Sequence, residues 1–139
     1  MSAANCVFRW ADCYKVNVAL LDQQHQKLFD VMNELEKALR VGKGHTVIDT
    51  ILNELLTYVA LHFAAEESLM ERYGFPGLST HRTEHDMFRQ KLLTFLEQHR
   101  AAKSGVPVEL LLFLQNWFKH HLLKTDKLYS KFLNARGVL

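Results

Sequence analysis

The sequence is poor in helix breakers, with two prolines and six glycines in 139 residues, so long uninterrupted helices are possible. Cysteine is scarce as well. Cys6 and Cys13 do not form a CxxC pair, and two sulfurs without further Cys or His partners make no zinc knuckle. They are expected to be free thiols in a reducing cytoplasm, where the chain is placed. No run approaches about 18 apolar residues, so no membrane insertion is expected. The first twenty residues carry Arg9, Asp12 and Lys15 and no apolar stretch, so no signal peptide is expected. Excess charge is missing too: 17 basic residues face 15 acidic ones, for a net charge of +2. With no clustered basic face, a nucleic-acid partner is excluded. Ordinary proportions of charged (23%) and hydrophobic (48%) residues argue against disorder, and the length suits one domain. The residue in excess is histidine, eight in all.

Three turn clusters divide the chain: Gly42-Lys43-Gly44, Gly74-Phe75-Pro76-Gly77 and Lys103-Ser104-Gly105-Val106-Pro107. They leave an N-terminal arm over about 1–17 and four segments over about 18–41, 46–73, 78–102 and 107–133. Each segment carries a seam with alternating steps of three and four, the period of packed helices. The seams run Leu21, His25, Leu28, Met32, Leu35, Leu39; Ile48, Leu52, Leu55, Val59, His62, Glu66, Leu69; Leu78, His81, His85, Phe88, Leu92, Phe95; and Leu110, Leu114, Trp117, His121. Thr46 with Asp49 resembles a capping box, and Pro107 suits the first turn of the last helix. The expected fold is all-α: a single-domain, up-down-up-down antiparallel four-helix bundle. Its N-terminal aromatic arm (Phe8, Trp10, Tyr14) should lie across the bundle.

Five histidines and one glutamate interrupt the seams where the pattern asks for leucine. Burying such groups unpaired costs a few kcal/mol each, against a total stability of about 5–15 kcal/mol for a small domain. They must be satisfied by each other or by something bound. At about 1.5 Å per residue, His25 lies about 25 Å before the first turn and His62 about 27 Å beyond it. The same arithmetic brings His62 and Glu66 level with His81 and His85, and His85 level with His121. Imidazole with carboxylate suits borderline metals such as iron, manganese and zinc. Five histidines and a glutamate exceed the needs of one ion and point to two ions sharing a bridging carboxylate. Asp126 is the candidate seventh ligand. It lies five residues after His121, about 140° around a regular helix, so it reaches the same face only if a π-bulge inserts one residue there. His120, about 100° from the seam, and His45 and His99 are read as lying outside the cluster.

The stretches Asp22-Gln23-Gln24-His25, His62-Phe63-Ala64-Ala65-Glu66-Glu67, His81 with His85, and His121 through Tyr129 resemble the hemerythrin family, and within it the single-domain bacteriohemerythrins. The resemblance runs in order along nearly the whole chain. It implies a non-haem di-iron site, with two iron ions (Fe2+/Fe3+) and an oxo or hydroxo bridge, that binds O2 reversibly. Carried over by position, His81, His85 and His121 hold one iron, His25 and His62 hold the other with an open position, and Glu66 and Asp126 bridge. Leu28, Phe63, Trp117 and Leu122 match places where the family lines its oxygen pocket. Glu67 and Tyr129 are candidates for orienting a ligand.

The expected function is oxygen carriage, storage or delivery, with an oxygen-consuming enzyme as possible partner and the chain itself a monomer and no enzyme. The alternatives are a di-iron enzyme reducing peroxide or NO, or a sensor of O2, redox state or iron. A ferritin-like di-iron bundle needs Glu-x-x-His pairs, and none occurs. HExxH is absent as well, which removes the zincins.

Overall fold

A computed structural model describes residues 10–139. Phe8 and Cys6 lie outside the described residues. Four long helical segments form the bundle: α1 (Ala19–Arg40), α2 (Gly44–Arg72), α3 (Leu78–Arg100) and α4 (Val106–His120). The last continues through a π-helical turn, His121–Thr125, into α5 (Asp126–Asn134). α1 packs on α2 and α4, α2 on α3, and α3 on α4, which closes the ring. Short turns force antiparallel neighbours, and the order is up-down-up-down.

The seams supply the core. Leu35, Ile48, Leu52, Leu55, Leu92, Leu110 and Leu114 are fully buried. Four seam positions differ from the sequence pattern, and two of them, Leu78 and Leu39 (beside the buried Ala38), are only partly buried. Met70 is buried in place of Leu69, and Phe118 is buried while Trp117 is half-buried. A straight helix drifts by about 20° per heptad relative to a strict seven-residue repeat, so the buried stripe slips to the adjacent residue near a helix end. α2, at 29 residues, is long and apolar enough to cross a bilayer by length and composition. Its apolar face is instead spent on the core through Ile48, Leu52, Leu55 and Val59.

The expected start of α2 is corrected. It begins at Gly44, two residues earlier than the sequence suggests, and Thr46 lies inside it rather than capping it. No side-chain cap bond forms at Lys43. The reason is tertiary: a Cβ on Gly44 would come within 2.9 Å of Leu39 and of Pro107, so a glycine inside the helix lets three segments meet. The turn before α4 ends on Gly105 at φ +80°, a left-handed value that glycine adopts without strain, and Pro107 sits in the first turn as expected.

The described part of the arm folds onto the bundle. Trp10 meets Phe29 edge-on with centroids 5.5 Å apart, Tyr14 meets Phe29 at 4.8 Å, and Trp10 lies 6.5 Å from His25. Its backbone is tied down by Asp22, which accepts from the Val16 N–H at 2.7 Å, and by Ser130, which donates to the Val16 carbonyl at 2.6 Å. Cys13 is exposed and free.

Candidate metal centre

The π-helical turn decides whether the fourth strand of the site can close. The Asp126 N–H bonds to the carbonyl of His121, five residues back. That extra residue rotates Asp126 onto the face of His121, where it is fully buried. Thr125, which a regular helix would have turned inward, is only partly buried. The five-residue spacing alone called for this distortion, and π-turns concentrate at functional sites.

With Asp126 in place, seven side chains from all four rods meet in one layer. His25, His62, Glu66, His81, His85, His121 and Asp126 are each at most 2% exposed. The Asp126 Oδ1 is 2.9 Å from His121 Nε2 and 3.1 Å from His81 Nε2, while its Oδ2 is 3.3 Å from His25 Nε2. Glu66 Oε1 is 3.3 Å from His62 Nε2 and 3.2 Å from His85 Nε2, and its Oε2 is 3.3 Å from His25 Nε2. Each carboxylate therefore reaches both the three-histidine and the two-histidine group.

These atoms point at common centres rather than at one another. The Nε2 atoms of His25, His81, His85 and His121, together with Glu66 Oε1 and both Asp126 oxygens, are buried and make no hydrogen bond. Buried polar atoms are otherwise nearly always bonded. Ligands that share a first-row ion at about 2.0–2.2 Å stand about 3 Å apart, which is the spacing seen here. Two overlapping sets can each hold a metal ion: Glu66 with His81, His85 and His121, and Glu66 with His25 and His62. The donor set fits a pair of first-row ions.

The outward nitrogens explain why the Nε2 atoms aim inward. His85 Nδ1 donates to Glu67 Oε2 at 2.7 Å, and His121 Nδ1 donates to Glu84 Oε1 at 3.0 Å. A carboxylate only accepts, so each Nδ1 carries a proton and each Nε2 is the nitrogen left facing the centre, free to bind an ion once any proton on it leaves. His62 Nδ1 donates to Gln24 Oε1 at 2.7 Å with the same result. Tyr129, fully buried, donates its hydroxyl to Glu66 Oε2. Thr125 donates to Glu84 at 3.1 Å and Arg82 to Glu67 at 3.3 Å, fixing those carboxylates in turn.

Glu67 and Tyr129, singled out in the sequence, each bond to a side chain of the cluster, His85 and Glu66. Gln24 and Glu84 were not singled out. Gln24 adjoins His25, and Glu84 precedes His85 and follows His81 by three, so adjacency to a histidine was the available signal.

Without an ion, charge is shared among these groups. Burial, the largest effect on His25, His81 and His121, works against their protonation. Asp126 and Glu66 overcome it and hold them up at about 9, 10 and 9. His62 is pushed down by burial. Burial opposes ionisation of Glu66 and Asp126, yet the surrounding histidines hold both well below the usual carboxylate range. Burial, then the neighbouring carboxylates, drive Tyr129 far up, so it stays a neutral donor.

The expected oxygen-pocket residues divide. Leu28, Phe63 and Leu122 are buried. Phe63 stacks parallel on His85 at 3.7 Å and 2°, and stands 5.9 Å from His62. Trp117, half-buried, stacks on His121 at 4.1 Å. Both rings lie flat on histidines of the three-nitrogen group. His45 and His120 are exposed, and His99 is partly so, outside the cluster.

Histidine nitrogens and carboxylates gathered at one height of an antiparallel bundle define a metal-binding four-helix protein. Residues 16–133 match the family described as Hemerythrin HHE cation binding domain, and the chain belongs to the hemerythrin family. It is 30% identical over 122 residues to bacteriohemerythrin of Methylococcus capsulatus, covering 88% of this chain and 92% of that one. It is 31% identical over 128 residues to bacteriohemerythrin of Clostridium acetobutylicum, covering 88% and 98%. The crystal structure of wild-type hemerythrin matches with a TM-score of 0.80 at 29% identity, covering 88% of this chain and 95% of that one.

Proposed function

We propose that this protein binds O2 reversibly at a di-iron centre, for oxygen carriage, storage or delivery in the cytoplasm, and that it is not an enzyme. The observation that carries the reading is the convergence of seven buried ligand-type side chains whose inward atoms lack partners, in a chain of the hemerythrin family. His81, His85 and His121 would hold one iron, His25 and His62 the other, and Glu66 and Asp126 would span both. When bound, the iron pair would supply the electrons that O2 binding needs.

The chain's own residues do the rest. The unequal nitrogen count, three against two, leaves the His25–His62 end the less filled. Glu67, Glu84 and Gln24 hold the Nδ1 side of their imidazoles, so Nε2 is already turned toward the centre before any ion arrives. Tyr129 steadies Glu66 by donating a hydrogen bond to it. Leu28, Phe63 and Leu122 add buried apolar surface, and the arm brings Trp10 to 6.5 Å from His25 and packs Tyr14 on Phe29 of α1. Excluding water there disfavours loss of bound oxygen in a reduced form.

The test is spectroscopic. Iron-loaded protein, reduced without oxygen, is exposed to air and then sparged with argon. A visible absorption band that appears with air and vanishes under argon is expected. Immediate, irreversible conversion to an oxidised spectrum would overturn carriage and favour peroxide or NO reduction.

A further inference from the structure

We propose that the two halves of the centre hold their ions unequally and that Glu67 and Glu84 set the difference. The ion held by His81, His85 and His121 binds first, and the ion held by His25 and His62 binds last and leaves first. This rests on the two-metal reading above.

What distinguishes the halves is the layer behind the ligands. On the three-histidine side, His85 is backed by the Glu67 carboxylate at 2.7 Å and His121 by Glu84 at 3.0 Å. Both carboxylates are themselves held, Glu67 by Arg82 and Glu84 by Thr125, so neither is free to swing away. On the other side, His62 is backed by the neutral amide of Gln24 at 2.7 Å. His25 Nδ1 is buried and has no hydrogen-bond partner among the described residues. A carboxylate that accepts from Nδ1–H draws that proton outward and makes Nε2 a stronger donor to a cation. An amide does so less, and an unpartnered nitrogen not at all. Phe63 and Trp117, stacked on His85 and His121, lock the orientation of the two carboxylate-backed rings. Among the described residues, the His25 ring has edge-on or tilted neighbours, His62 at 4.4 Å and Trp10 at 6.5 Å. Basicity and pre-orientation therefore favour the same half.

The asymmetry is read by metal release from the fully loaded protein, which needs no oxygen chemistry. Protein carrying two Fe2+ per chain under anaerobic conditions is mixed with an excess of a colour-forming Fe2+ chelator. Two phases of one ion each are expected. Glu84→Gln and Glu67→Gln, which keep shape and remove charge, should each speed the slow phase about 10–100-fold and leave the fast phase in place. Gln24→Glu should slow the fast phase. His62→Ala should retain a single ion that leaves at the slow rate, which assigns the phases. Release of both ions in one phase from the wild-type protein would overturn the proposal, as would a slow phase that neither Glu→Gln change moves. Failure to load two ions at all would instead overturn the two-metal reading beneath it, and is seen before any chelator is added.

Discussion

Two layers of this bundle are built on the same four rods and solve burial in opposite ways. In the apolar layer, Leu35, Ile48, Leu52, Leu92 and Leu110 are each 0% exposed and gain from burial with no further partner. About two to four turns away, His25, His62, Glu66, His81, His85, His121 and Asp126 are equally buried, and most of their inward atoms have no hydrogen-bond partner. Apart from the π-helical turn at His121–Thr125, both layers lie on regular α-helix. The first is complete when the chain folds, and the second is complete only when cations fill it. Stability and function are thereby separated along the bundle axis.

Removing the metal breaks this comparison most severely. Without ions, the polar layer keeps two carboxylates and five imidazoles in a dry space, and the protein should lose several kcal/mol of stability. Its Tm should fall by about 10 °C or more, measured by calorimetry on loaded and chelated protein. Equal melting temperatures would erase the distinction between the layers. Next in size is Leu52→Ala, expected to cost about 2–5 kcal/mol in urea titrations of both loaded and metal-free protein while metal content stays the same. Glu66→Ala should do the reverse and lose metal, as read by elemental analysis. If Leu52→Ala also emptied the site, the layers would not be separable. Tyr129→Phe removes a buried donor to Glu66 and should cost about 1–3 kcal/mol. His120→Ala, on an exposed residue beside a ligand position, should change stability by less than about 0.5 kcal/mol and leave metal content intact.

Acidity sharpens the same contrast. In the metal-free protein, His25, His81 and His121 are raised from 6.5 to about 9, 10 and 9. Their stabilisation is fully present below pH 6.5 and is lost as pH rises through 9–10. Glu66 and Asp126 are depressed from 4.5 and 3.8, so theirs is present above those values and is lost as pH falls through the lowered ones. His62, lowered by burial, runs against the other histidines. The metal-free protein should therefore weaken from pH 6.5 to 10. The loaded protein should weaken less, because the ions replace the protons. Thermal melts across this range test it, and a metal-free protein that grows more stable toward pH 9 would contradict it.

Much of this was legible in the residues. The four seams and the polar groups interrupting them placed the histidines and Glu66 at one height. The five-residue spacing of His121 and Asp126 calls for a π-turn if Asp126 is to join the cluster, and the turn is there. What stayed hidden depends on contacts between distant segments. Gln24 backs a histidine 38 residues away and Glu84 one 37 away, and in sequence each reads as a solvent-facing helix residue. The start of α2 at Gly44 follows from the approach of Leu39 and Pro107, which no local capping rule contains. Trp117 fits a heptad seam, yet it lies half-exposed with its ring over His121, because the buried stripe had drifted to Phe118.

The central claim is that the polar layer is completed by two ions shared through Glu66 and Asp126. Anaerobic Fe2+ titration of metal-free protein, read by calorimetry and elemental analysis, tests it most directly. Uptake should saturate at two ions per chain and be accompanied by proton release at pH 7, because the cations displace protons that His25, His81 and His121 carry in the metal-free protein. Saturation at one ion, or uptake undiminished by Glu66→Ala and Asp126→Ala together, would contradict it.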